Sequence, residues 1–183
     1  MNTGATLHLG VAEQGKVHAL AGEHGEALRH YREALRMAIQ AGDADVFSRH
    51  YTQCVLESLE HMGSWAEILA FCERAESWYA EHPPEHELAC ADYAAVLQRK
   101  GVVLLKAGRA DEALAALQAA VARVPRGQLP LADGLIGWLR RRYLVQPKRL
   151  AHEQDRHRYF VVRADNVDPS RAIPLPEGIG PRP

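Results

Sequence analysis

Ten histidines and three cysteines are the residues of this 183-residue chain best suited to ligating a metal or acting as acid, base or nucleophile. Two histidines hold one ion from a single helix when they stand three or four residues apart on one face. His24 and His30, His50 and His61, and His152 and His157 lack that spacing. His82 and His86 have it, but Pro83 and Pro84 between them break the shared helical face. Cys54, Cys72 and Cys90 show no CxxC spacing, and an odd number argues against a disulfide framework, so all three read as buried thiols. Glu57 and Glu60 share a helix face with Gln53 and have the chemistry to hold a proton or a cation; paired glutamates on helices are commonly just solvated. Gly10, Gly15 and Gly22 do not form a phosphate loop, because no strand precedes them and no Gly-Lys-Ser or GxGxxG follows. No GxSxG elbow or HExxH occurs. The expectation is a protein that is not an enzyme and uses neither cofactor nor metal.

The elements that would position any site are helical. Apolar or small residues at Ala27, Leu28, Tyr31, Ala34, Leu35, Ala38 and Ile39 recur at three- and four-residue steps, which predicts a helix over 24–41 after a first over 5–21. Asp43 and Asp45 can cap a third over about 45–62, with Phe47, Tyr51, Val55, Leu56 and Leu59 along its face, and Gly63-Ser64 opens a fourth over about 64–81. After His82-Pro83-Pro84 come a fifth, Glu85 to Lys106, and a sixth, Ala110 to Arg123, which Pro125 closes. Trp65, Trp78 and Trp138 are expected to fill junctions between these helices.

One spacing occurs three times. Gly22, Gly63 and Gly108 each precede Ala27, Ile68 and Ala113 by five residues, and Ala34, Ala75 and Ala120 follow seven residues later. A helix that stops at glycine, reverses, and offers small residues on the returning helix can pack its backbone closely. In these places the chain resembles the tetratricopeptide repeats. Gly15, His18, Gly22, Ala27, Tyr31 and Ala34 fit the first pair; Gly101, Leu104, Gly108, Ala113, Leu117, Ala120 and Pro125 fit the third. The middle pair is looser, with Leu56, Ile68 and Cys72 in place of a small residue, alanine and an aromatic. Displacements of 41 and 45 residues between repeats, read from the alanine positions, place the resemblance with the long-helix members over about residues 5–125.

The resemblance implies an all-α, right-handed solenoid of three antiparallel helical hairpins over 1–125, with a concave groove lined by the first helix of each pair. The family's groove-facing steps fall on Glu13, Lys16 and Leu20, then on His50, Gln53, Cys54, Glu57, Glu60 and His61, then on Gln98, Arg99, Val102 and Lys106. Members that grip the carboxylate end of chaperone tails carry lysine and asparagine where this chain has Ala12 and Lys16, then Gln53 and Glu57. That clamp is absent. The implied partner is a peptide or helix of another protein, held as an adaptor would hold it or as a chaperone dedicated to one client would.

Charge divides the chain. Residues 1–125 carry 11 basic and 17 acidic side chains, residues 126–183 carry 11 and 6. Residues 126–147 are expected to hold a capping helix with Leu129, Leu131, Leu135, Ile136, Leu139 and Tyr143 on one face and Arg140, Arg141 and Arg142 on the other. With Lys148 and Arg149 these form a basic patch, the one feature that a nucleic-acid regulator would use; a pI of about 6.8 and a basic last turn favoured by the helix dipole make nucleic acid the lesser reading. Residues 148–183 are expected to be extended or partly disordered. They hold the strand-like run Tyr159–Arg163 and a proline-rich end with Ile173, Leu175 and Ile179 as anchors, and their charge allows them to lie in the groove of the same or a neighbouring molecule. With neither a leader-like start nor an apolar run of about 20 residues, the expected setting is the cytoplasm, without a membrane span.

Overall fold

The computed structural model describes residues 3–176, with the backbone alone for 3–6 and 44–46. The described residues form α-helices α1 (Thr3–Leu20), α2 (His24–Ala41), α3 (Ala44–His61), α4 (Trp65–Glu81), α5 (Glu87–Lys106), α6 (Ala110–Val121), α7 (Pro130–Arg140) and α8 (Pro147–Arg156), followed by 3₁₀ turns at Ala164–Asn166 and Pro169–Arg171. The fold is all-α, its helices packed in sequential pairs, and no sheet occurs among the described residues. No helix among them is long and apolar enough to cross a membrane.

Two compact units divide the chain. The first holds α1 to α3 and the segment from Phe160 onward; the second holds α4 to α8, residues 64–159. The boundary at Gly63 and Ser64 falls inside the middle of the three expected hairpins.

In the first unit α1 packs on α2 and α2 on α3. The reversal between α1 and α2 turns on Gly22, whose φ of +79° lies in the left-handed region that costs a β-carbon about 1 kcal/mol or more. Ala27, Leu28, Tyr31, Ala34 and Ala38 are buried as the periodicity requires, whereas Ile39, expected on the same face, is 59% exposed. Close approach is set by Gly15: a β-carbon there would stand 2.6 Å from Tyr31 Cε1. Asp43 precedes α3 without capping it, because its carboxylate lies 3.4 Å from Nε2 of the buried His8, whose Nδ1 meets the Tyr51 hydroxyl at 2.7 Å.

In the second unit α5 starts at Glu87 rather than Glu85, since the His86 ring nitrogen caps it by accepting from the Ala89 N–H at 3.2 Å. Gly101 repeats the part played by Gly15; a β-carbon would come 2.5 Å from Leu117 Cγ on α6. α7 begins with Pro130 and buries Leu131, Leu135 and Ile136 against Val102, Leu117 and Leu150. It ends at Arg140, so Arg141 and Arg142 lie beyond the last turn in which they were expected.

The C-terminal expectations need correction. Residues 148–183 are not extended from their start: Pro147 occupies the first turn of α8, where a missing N–H costs nothing, and Leu150 and Gln154 one turn apart are buried. The run Tyr159–Arg163 joins no strand ladder and follows a left-handed residue, Arg158, at φ +49°. Trp78 fills no junction. It is 54% exposed and stacks on His82 at 4.8 Å. Ile179 lies outside the described residues.

Replacing Gly101 by alanine should lower stability by up to about 2 kcal/mol net, because an overpacking cost of about 1–3 kcal/mol against Leu117 is offset by roughly 1 kcal/mol gained in helix propensity. Urea denaturation followed by circular dichroism measures this as a lower midpoint with an unchanged slope.

Candidate functional site

Phe160–Pro176 lies on the first unit as an extended strap whose backbone is held by groups on three helices. A helix spends most of its own N–H and C=O capacity internally, so an extended segment laid on helices depends largely on side-chain acceptors. Glu57 of α3 takes two successive donors, the N–H groups of Val161 and of Val162, the latter at 3.1 Å. Glu13 of α1 accepts the Asp168 N–H at 2.6 Å, the Gly10 carbonyl accepts that of Ile173 at 2.9 Å, and His30 Nε2 of α2 accepts that of Leu175 at 3.2 Å. Arg29 closes the far end by donating to the Pro176 carbonyl at 3.2 Å.

Apolar contacts accompany these bonds. Val161 and Val162 pack against Ala27, Tyr31 and Cys54, and Leu175 packs against Val11, Ala12, Ala34 and Ala38. Phe160 packs at a tilt against His61, which stacks on His24. Gly10 has no room for a β-carbon because Ile173 crosses directly over it. Between the anchors the strap bridges a cavity of about 870 Å³ lined by Glu13, Lys16, His50 and Tyr51 on the helices and by Asp168 and Arg171 above them.

Burial alone would raise the Glu13 carboxyl, but the Asp168 N–H and the Lys16 ammonium at 2.9 Å outweigh it and hold the group below the usual carboxylate range. Burial keeps His50 and His30 toward the neutral form. The Cys54 thiol is pushed up to about 12 by burial and the Cys72 thiol to about 11, which makes both inert near neutrality, and Cys90 is half-buried.

The first-unit residues expected in the groove therefore divide. Glu13 and Glu57 hold the strap, Lys16 and His50 line the cavity beneath it, Gln53 is half-buried, Glu60 is buried, His61 meets Phe160, and Leu20 is 46% exposed. The second-unit residues form no comparable surface. Val102 is fully buried in the core with Leu135 and Leu150, a correction whose cause is that α7 and α8 cover that side of α5. Arg99 is buried under the Tyr159 ring at 4.9 Å, Gln98 has a buried carbonyl oxygen, and Lys106 reaches over the Trp65 ring at 5.8 Å. In the basic patch, Arg141 lies over Tyr143 and Arg149 over Trp138, Arg140 approaches the Gln118 side chain, and Arg142 and Lys148 are exposed.

Gly10, Arg29 and His30 are contacts to the strap that the sequence reading missed. The signal for Gly10 was present: a glycine inside a helix needs a packing reason. A second grouping also escaped it, because His18 and His30 stand on different helices and meet only through the turn at Gly22, with Glu26 beside them. Comparison with protein-family models, curated proteins and solved structures gave no match.

Two predictions concern the strap. Gly10→Leu should unseat residues 171–175 while helicity is kept, seen as faster tryptic cleavage after Arg171 and faster amide exchange at Ile173. Acid should act through Glu13: its folded-state pKa is depressed, so its contribution is complete above the unfolded value of about 4.3 and is lost as pH falls through the folded value. Protection of Asp168 should be constant from about pH 7 to 5 and decline below about 4.

Proposed function

We propose that this chain is a non-catalytic adaptor of the tetratricopeptide-like kind, a right-handed array of helical hairpins whose surface over α1 and α3 binds an extended segment of a partner protein. The observation that carries this is the Glu57 carboxylate accepting two consecutive backbone N–H groups, an arrangement that reads an extended main chain whatever its side chains. The occupant in the structure is the chain's own strap, which acts as a built-in competitor. The partner segment would present two adjacent N–H donors with small apolar side chains toward Tyr31 and Cys54, and an apolar residue toward Ala34 and Ala38. It would not be acidic, because Glu13 and Glu57 face it, and the same two carboxylates disfavour nucleic-acid phosphate.

A fluorescent peptide of residues 159–176 tests this on the full chain. Val161→Pro removes one donor to Glu57 from the resident strap and leaves the groove unaltered. The peptide should bind this variant at least about tenfold tighter than wild type, since an intact strap competes at millimolar effective concentration. Adding Glu57→Gln should return binding to the wild-type level or below. Equal, weak binding to all three proteins would refute the groove as a peptide site.

A further inference from the structure

His18 on α1 and His30 on α2 meet across the first hairpin with ring centroids 4.8 Å apart, and Glu26 completes a set whose ligand atoms lie within 4.8 Å of one another. The hydrogen bonds around the two rings have the same form. His18 Nδ1 lies 2.6 Å from a Glu23 carboxylate oxygen, so it carries the proton, and Nε2 keeps its lone pair toward the Gln14 amide at 3.1 Å. His30 Nδ1 lies 2.8 Å from the Glu26 backbone carbonyl, which only accepts, so this nitrogen donates and Nε2 again holds the lone pair. Metal-ligating histidines are held in this way, one ring N–H given to a carboxylate or carbonyl and the other nitrogen turned to the ion. The claims on the two Nε2 atoms are weak, neutral N–H donors at 3.1 and 3.2 Å. Arg29 binds one Glu26 oxygen through Nε and Nη2, which fixes that carboxylate and leaves its second oxygen to reach an ion.

We propose that His18, Glu26 and His30 form a binding site for a divalent transition metal of the zinc class, and that an ion there takes His30 Nε2 away from the Leu175 N–H, so that metal and strap compete. Two imidazoles and one carboxylate suit zinc, nickel or copper and not the oxygen-seeking magnesium or calcium. Three protein ligands leave a fourth position for water or a partner's group. The metal site does not rest on the groove reading; only its effect on an incoming peptide does.

The test uses the full chain stripped by chelator and titrated with Co²⁺, followed by absorption in the visible, and with Zn²⁺ by calorimetry. One ion per chain is expected, with Zn²⁺ displacing Co²⁺. His18→Gln and Glu26→Gln should each weaken binding by about tenfold or more. Neither side chain is fully buried, and unchanged helicity confirms that the variants fold. In wild type, Zn²⁺ should speed amide exchange at Leu175, and it should not do so in His18→Gln. Failure to saturate, or affinity unchanged in both variants, overturns the site. Saturable, variant-sensitive binding with Leu175 exchange unaltered overturns the competition. The peptide assay in metal-free protein is decided separately from all of these.

Discussion

The backbone of the strap has no strand beside it, and this one deficit governs the arrangement of the first unit. Every N–H in a segment pressed against helices needs an acceptor, and helix carbonyls are nearly all engaged. The chain answers with side chains from three different helices: Glu57 from α3, Glu13 from α1 and His30 from α2. Gly15 lets α1 approach Tyr31 on α2, which brings Glu13 and His30 near one another. Between anchors the strap supplies its own acceptors, Asn166 taking the Arg163 N–H and Asp168 taking that of Ser170, which is why two short 3₁₀ turns interrupt it. Local turns and long-range anchors thus divide the donors of one segment between them.

Much of the helical skeleton was legible. Glycine followed at fixed steps by small residues encodes a reversal and a close contact, and both are local or nearly so; Gly15 and Gly101 meet Tyr31 and Leu117 as the spacing requires. Faces of helices were read well where one side was solvent, less well where both were covered. Val102 shows the limit: its step along α5 marks it for an open groove, but α7 and α8 lie on that side, and nothing in the periodicity of α5 announces a helix arriving from about thirty residues later in the chain. Arg99 has the same history, with Tyr159 as the covering residue.

What escaped the sequence are meetings between residues far apart. Proline-rich composition favours an extended conformation but carries no address, since PPII-like segments lack internal hydrogen bonds and take their position from whatever accepts their donors. The His18–Glu26–His30 set has a related cause. Metal spacing rules describe ligands on one helix, whereas a hairpin brings together residues placed symmetrically about its turn, and the relevant count runs through Gly22 rather than along one face.

Opposite net charge on the two parts of the chain suggested electrostatic docking, but the anchors that set the strap's register are hydrogen bonds to particular groups. Arg163 turns inward on its own segment, to Asp165 at 3.1 Å and the Phe160 carbonyl at 3.0 Å, and the bonds to Glu57, Glu13, Gly10 and His30 come from backbone N–H groups. Long-range attraction between exposed charges is screened beyond about 8 Å at physiological ionic strength, so it can guide the strap toward the groove without setting its register. Register comes from Glu57, Glu13, Gly10 and His30. On the proposed reading such a surface would gain affinity from an extended main chain and take its selectivity from two sources, the apolar recesses that hold Val161, Val162 and Leu175 and the Glu13 and Glu57 carboxylates that disfavour an acidic segment.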